Sequence, residues 1–386
     1  MSLQASAASR TRAVDLLRSY LDDIDFAGFH KYLAGAALYY VNPTIINWRR
    51  QAEVAALDRY VAGPQRDLWL AVCLLADVPV RADALPERHA ELAAALLAGE
   101  LLVRRGDYLH MSGLQLVSVQ GLPLLLDRRL SFGGEREIHD VYVGPDSALL
   151  SYYVDPDVIP PGARGLDLGT GTGVLGLYLA RYCAHVTVTD IMAAPLWLAG
   201  MNRRLNRADD RVEVRRESYI DTLARGERYQ VVSFNPPFLA LPDEMDAPVY
   251  AKGIGADGLD YCRMLLELFD QVVAPGGVAY IVADLLGDAD GPYFVADLER
   301  YAGLLGLCID VFIDARVDLR QDGQHEALAR GLGPGNPGLD PDHILARLRQ
   351  VQLDQLRAAC AFCTVMVARR AGPGGRFVHV FNRYAT

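Results

Sequence analysis

One stretch, residues 165–190 (GLDLGTGTGVLGLYLARYCAHVTVTD), constrains this chain more than any other. It opens on a short apolar run ending in Asp167-Leu168 and sets Gly169, Gly171 and Gly173 at alternate positions. Apolar residues at helical spacing follow, then a β-branched run closed by Asp190. Strand, glycine turn, helix, strand and acid make the opening unit of a doubly wound α/β sheet, which holds its ligand at the carboxyl ends of its strands. The glycines let the backbone come within contact of that ligand. Asp190, roughly 20 residues on as the nucleotide-binding pattern requires, can accept hydrogen bonds from two ribose hydroxyls.

A dinucleotide turn reads G-x-G-x-x-G and seats a pyrophosphate on the following helix. Here the spacing is D-x-G-x-G-x-G. A leading carboxylate repels a phosphate and suits a cationic ligand with a free amino group. The spacing resembles the first motif of class I S-adenosylmethionine-dependent methyltransferases. The resemblance implies a seven-stranded Rossmann-like sheet, S-adenosyl-L-methionine as cofactor and S-adenosyl-L-homocysteine as product. It makes Asp167, Gly169, Thr170, Gly171, Gly173, Asp190 and Ile191 the cofactor-binding candidates, with Asp167 near the amino-acid end. At the exit of the third strand, Ser218 stands where that family often has an aspartate near the adenine.

The fourth strand, YQVVSF, ends in Asn235-Pro236-Pro237-Phe238. Two prolines make a rigid loop where ligand chemistry occurs in such sheets. An asparagine oxygen and the next backbone carbonyl can both accept protons from one planar amino group, directing its lone pair toward a methyl donor, and Phe238 can stack on its plane. N-P-P-F resembles the catalytic motif of methyltransferases acting on the amino nitrogen of adenine, guanine or a glutamine amide. All four residues become catalytic candidates, with Asn235 also touching the cofactor. The segment 255–260 (GADGLD) with Arg263 resembles the piece that follows N-P-P-Y in release-factor glutamine methyltransferases, where it starts a covering helix. In methyltransferases that modify amino nitrogens, a segment like 142–147 closes over the methionine end, so Tyr142, Gly144 and Ser147 are candidates for cofactor or substrate contact.

The N-terminal 120 residues read as helices and a hairpin, with residues 121–150 a linker and residues 151–386 the cofactor-binding domain. Residues 1–10 read as a polar tail, with Thr11 a candidate cap for the first helix. Helices at 67–75 and 89–102 followed by a Gly106-Asp107 turn resemble the winged-helix dimerisation domain of small-molecule methyltransferases. The aromatics Phe26, Phe29, Tyr32, Tyr39, Tyr40 and Trp48 fit an inter-helix core or a homodimer face. A winged helix also binds DNA, but Glu87, Glu91 and Glu100 against Arg88 make an acidic recognition helix.

The net charge of −10 over 386 residues counts against a large nucleic-acid substrate, whose binding rests on phosphate neutralisation. No apolar run approaches a membrane span and no secretory pattern opens the chain, so a cytoplasmic protein is expected. Six cysteines are too sparse for a disulfide framework, and Cys360-x-x-Cys363 lies in an apolar run with no second pair, so no metal site is expected. Residues 315–339 read as a glycine- and charge-rich insertion, a lid more than a linker, and the last two strands are expected to pair across AGPGG. The leading function is N-methylation of a small molecule's planar amino or amide nitrogen. A protein-glutamine or nucleic-acid amino-group methyltransferase is the alternative, as is an O-methyltransferase using His325 as base. A DNA-binding sensor is the non-enzymatic alternative.

Overall fold

The computed structural model describes residues 6–28, 80–127, 145–321, 323–372, 375 and 377–383. Helix α1 (Ala7–Asp23) is followed by β1 (Val80–Arg81), α2 (Ala90–Ala98), β2 (Leu102–Arg105), β3 (Tyr108–Met111), β4 (Leu114–Val119) and β5 (Leu122–Asp127). Next come α3 (Pro145–Tyr153), β6 (Arg164–Leu168), α4 (Val174–Leu179), β7 (His185–Asp190), α5 (Ala193–Leu205), β8 (Val212–Arg216), α6 (Tyr219–Ala224) and β9 (Tyr229–Phe234). The remainder is α7 (Asp260–Glu267), α8 (Phe269–Val272), β10 (Val273–Gly287), α9 (Phe294–Leu305) and β11 (Leu307–Asp318). Last are α10 (Gln324–Leu332), α11 (Pro341–Arg349), β12 (Cys360–Arg370) and β13 (Phe377–Asn382).

Eight strands form one sheet in the order β13-β11-β12-β10-β9-β6-β7-β8. Strands β8, β7, β6, β9 and β10 are mutually parallel, and β12 runs antiparallel to both β10 and β11. Period-two alternation feeds two cores. Leu166, Val232 and Ile281 pack with Leu265, Phe269 and Leu298 on one face. Val231, Tyr280 and Val282 pack with Leu150, Leu175 and Leu124 on the other. Helices thus cover both faces, the doubly wound arrangement expected, with β13 as an eighth strand.

Three expectations need correction. The last two strands do not pair with each other: β12 has both edges taken by β10 and β11, so β13 crosses over and joins the far edge of β11 in parallel. The first helix begins at Ala7, with the Ser6 hydroxyl accepting from Ser9 N–H at 3.1 Å, one turn before Thr11. The supposed insertion begins as an extension of β11 and continues into α10, whose Leu328 and Leu332 pack with Ile344 and Leu348 of α11 against Leu241 and Met245.

The N-terminal elements sit on α5. Val14, Leu17, Leu21, Leu96 and Leu109 share a core with Leu198, Met201 and Leu205. Arg204 donates twice to Asp15, at 2.7 and 2.7 Å. β2 and β3 form the expected hairpin, with Arg104 and Arg105 exposed. The helix expected at 67–75 and all the aromatics from Phe29 to Trp48 lie outside the described residues, whereas Phe26 is 2% exposed within this core. Among the described residues no helix is long and apolar enough to cross a membrane.

Candidate active site

The carboxyl ends of β6, β7, β9 and β10 open on one cavity of about 430 Å³. Its floor at the β6 end is the glycine turn. Gly169 and Gly171 line it with φ of 63° and 54°, and a Cβ on Gly169 would fall on the Tyr219 hydroxyl, so the turn admits no side chain there. Thr170, Leu175, Ile191, Ser218 and Tyr219 continue this wall. Asp190 accepts from Gly171 N–H at 3.2 Å and Met192 N–H at 2.9 Å, one bond to each oxygen, and presents its remaining lone pairs to the cavity. Burial raises its carboxyl above the usual range. Ser218 caps α6 instead of reaching outward: its hydroxyl accepts from Asp221 N–H and donates to the Asp221 carboxylate at 2.7 Å.

Asp167 is not part of the cavity wall. It is 1% exposed and lies beneath the turn, where it accepts from Thr170 Oγ1 at 2.6 Å, Ser233 Oγ at 2.8 Å and Gly176 N–H at 2.9 Å. Its carboxylate shapes the loop. Gly173 also faces away and lets α4 start against Ala199, with a contact of 3.3 Å for an added Cβ. Asn202 of α5 ties this turn to the hairpin above it, donating to Thr172 and Leu125 carbonyls and accepting from Leu125 N–H at 2.7 Å.

Asn235 follows β9 directly. Its Nδ2 donates to Asp146 Oδ2 and to Ser147 Oγ, both at 3.0 Å, from the first turn of α3. With both amide hydrogens engaged, the carboxamide oxygen is left as the acceptor in the cavity wall. Pro237 and Phe238 line the cavity and Pro236 does not. A Cβ on Gly258 (φ 82°) would fall on the Phe238 carbonyl oxygen, so the Ala256-Asp257-Gly258 segment buttresses the N-P-P-F loop. Arg263 holds that segment, donating to Asp257, Asp260 and Asp297 at 2.6–3.0 Å.

The far wall is made by residues that sequence reasoning missed as site residues: Asp146, Asp284 and Cys363. Asp284 and Cys363 are cross-strand partners on β10 and β12. Burial and the nearby Asp146 push Asp284 up to about 6. The available signal was an aspartate inside the apolar strand VAYIVADLLG. Cys363 of the C-x-x-C thus faces the cavity, while Cys360 is buried and accepts from Arg316 at 3.1 Å.

Gln324 and Leu328 of α10 also line the cavity. His325 does not enter. It is fully buried, Nδ1 lies 2.8 Å from Leu319 O, and Nε2 lies 3.1 Å from Gln352 Oε1. Gln352 passes the link on to Ala240 O at 2.9 Å. Both ring nitrogens are committed to holding α10 in place, which removes His325 as a base or substrate contact. Tyr142 and Gly144 lie outside the described residues.

Residues 145–249 match the family model described as methyltransferase small domain. Over 126 residues the chain is 32% identical to a release factor glutamine methyltransferase of Clostridium acetobutylicum, covering 30% of this chain and 44% of that one. Over 127 residues it is 30% identical to a ribosomal protein uL3 glutamine methyltransferase of Neisseria gonorrhoeae, covering 31% and 42%. The chain spans about half the length of the curated relatives it matches. A solved SAM-dependent methyltransferase from Agrobacterium tumefaciens aligns over 70% of this chain and 77% of its own, with 14% identity and a TM-score of 0.37.

Proposed function

We propose that this chain is an S-adenosylmethionine-dependent N-methyltransferase that places a planar amino or amide nitrogen against Asn235. The orientation of the Asn235 carboxamide carries the reading. Its nitrogen is pinned by Asp146 and Ser147, so its oxygen accepts a hydrogen bond from the incoming nitrogen and turns the lone pair toward the methyl donor.

The residues present fit the cofactor. Gly169 and Gly171 leave room for it, Asp190 offers lone pairs to ribose hydroxyls, and Leu175, Ile191 and Tyr219 give an apolar flank. When bound, it supplies an activated methyl group on a sulfonium. Phe238, Tyr261 and Leu328 give the acceptor side apolar and aromatic surface, and the short tether of Asn235 to α3 keeps the acceptor oriented without reorganisation.

A small-molecule nitrogen is one acceptor class. The named relatives act on protein glutamines, and that supports a glutamine amide equally. A winged-helix-like dimerisation role for the N-terminal part belongs to the small-molecule reading. Calorimetry with S-adenosylmethionine, S-adenosylhomocysteine and NADH tests the core of the proposal: tight binding of the first two is expected. Binding of NADH alone would overturn it.

A further inference from the structure

The methyltransferase reading uses Asp146 to orient Asn235 but gives Asp284 no task, since a neutral amide needs one acceptor and not two carboxylates. We propose that this end is a subsite for a planar cation, a guanidinium or amidinium group, one of whose nitrogens receives the methyl. The inference rests on the methyltransferase reading and narrows its acceptor.

Four observations carry it. Asp146 and Asp284 line the same wall, and among the described residues neither is paired with a Lys, Arg or His. No Lys, Arg or His belongs to the described cavity wall, so among the described residues no cation is placed to hold a phosphate or carboxylate acceptor. Like charges brought together in a partly desolvated wall are unfavourable until a cation arrives between them. Consistently, burial raises both carboxyls more than their neutral hydrogen-bond partners, Asn235 and Cys363, lower them. By contrast Asp314, nearby on β11, is already satisfied by Tyr153 Oη at 2.5 Å and by Arg383. Finally, Asn235 Oδ1 adds a third acceptor and Phe238 an aromatic face, and a planar cation with several N–H donors uses both.

The chemistry balances. A guanidinium nitrogen gives one N–H proton to the Asp284 carboxylate as its lone pair forms the bond to the methyl carbon. The carbon–sulfur bond breaks with its electron pair going to sulfur. The products are a methylguanidinium, a neutral thioether and one proton, later released to solvent from Asp284. Cys363 takes no part as nucleophile, because burial and the neighbouring carboxylates raise its thiol far above neutrality and keep it protonated toward Asp284.

The test uses the full chain saturated with S-adenosylhomocysteine and titrated with butylguanidine or with butylurea, its neutral isostere. Butylguanidine should bind at least thirtyfold more tightly at pH 8. That preference should shrink at pH 5, where the guanidinium keeps its charge and Asp284, pushed up to about 6, is largely protonated. Asp284→Asn should cost at least tenfold for butylguanidine and leave butylurea and S-adenosylhomocysteine within twofold. Equal binding of the two probes, no binding of either, or a pH-independent preference overturns the cation subsite. Failure of S-adenosylhomocysteine itself to bind sinks the methyltransferase reading instead.

Discussion

Asn235 Nδ2 lies 3.0 Å from Asp146 Oδ2, joining the end of a central strand to the first turn of the helix that precedes the sheet. The pair is directional: the amide gives its hydrogen to the carboxylate and keeps its oxygen for the cavity. Asn235→Ala should retain S-adenosylhomocysteine while kcat with a nitrogen acceptor falls on the order of a hundredfold, the scale of one preorganised polar contact. Asn235→Asp sets carboxylate against carboxylate, so it should do no better than alanine. Near-wild-type turnover in Asn235→Ala would remove the amino-nitrogen assignment.

Asp190 is held by Gly171 and Met192 N–H groups with lone pairs to spare. Removing it in Asp190→Ala leaves ribose hydroxyls unpaired and should weaken cofactor binding by about 1–3 kcal/mol. Calorimetry measures the loss directly; unchanged affinity would place the ribose elsewhere.

Gly169 and Tyr219 are sterically coupled. Gly169→Ala combines a left-handed backbone, costing about 1–2 kcal/mol for any other residue, with a clash against the Tyr219 hydroxyl. Tyr219→Phe should recover part of the clash and none of the backbone strain. A double-mutant cycle by urea unfolding should therefore show the pair less destabilised than the sum; strict additivity would contradict the contact.

His325 is predicted to be a positioning residue. His325→Ala removes both ring contacts and leaves one buried acceptor, Leu319 O or Gln352 Oε1, without its donor, which should lower stability by about 1–3 kcal/mol. The shape of the pH–rate profile should not change. Loss of its acidic limb would reinstate His325 as a base.

Burial pushes Asp167 and Asp284 up to about 6 from the ordinary 3.8. A carboxyl whose folded value is raised favours the folded state most when protonated. These two groups therefore contribute a loss of stability as pH rises from about 4 through about 6. Thermal unfolding followed across that window should show the decline, and Asp284→Asn should flatten it. An identical pH dependence in the variant would place the titration in other groups.

The sheet and the cavity at its carboxyl end were legible because the glycine turn, Asp190 and N-P-P-F each carry local constraints that survive without tertiary context. The turn in fact places Gly169, Gly171 and Asp190 together, with Asn235 across from them. Asp167 was misread because a buried carboxylate braced by Thr170, Ser233 and Gly176 has the same local sequence as one that faces a ligand. Asp284 and Cys363 are 79 residues apart by number and meet only through strand register, which no local pattern encodes. The β12–β13 pairing failed for a similar reason: a short Gly-Pro linker permits a hairpin, but β10 and β11 already occupy both edges of β12.

One consequence lies in the order in which the cavity can be made. Arg383, just beyond β13, donates to Tyr153 Oη at 2.7 Å, and Tyr153 is the last residue of the helix whose first turn carries Asp146. Domains are synthesised from the amino end, and contacts that span long stretches of chain form late. The glycine turn, Asp190 and Asn235 all leave the ribosome while β12 and β13 are still untranslated. A nascent chain can therefore assemble the glycine-turn end of the cavity first, and the acid-lined wall is finished last.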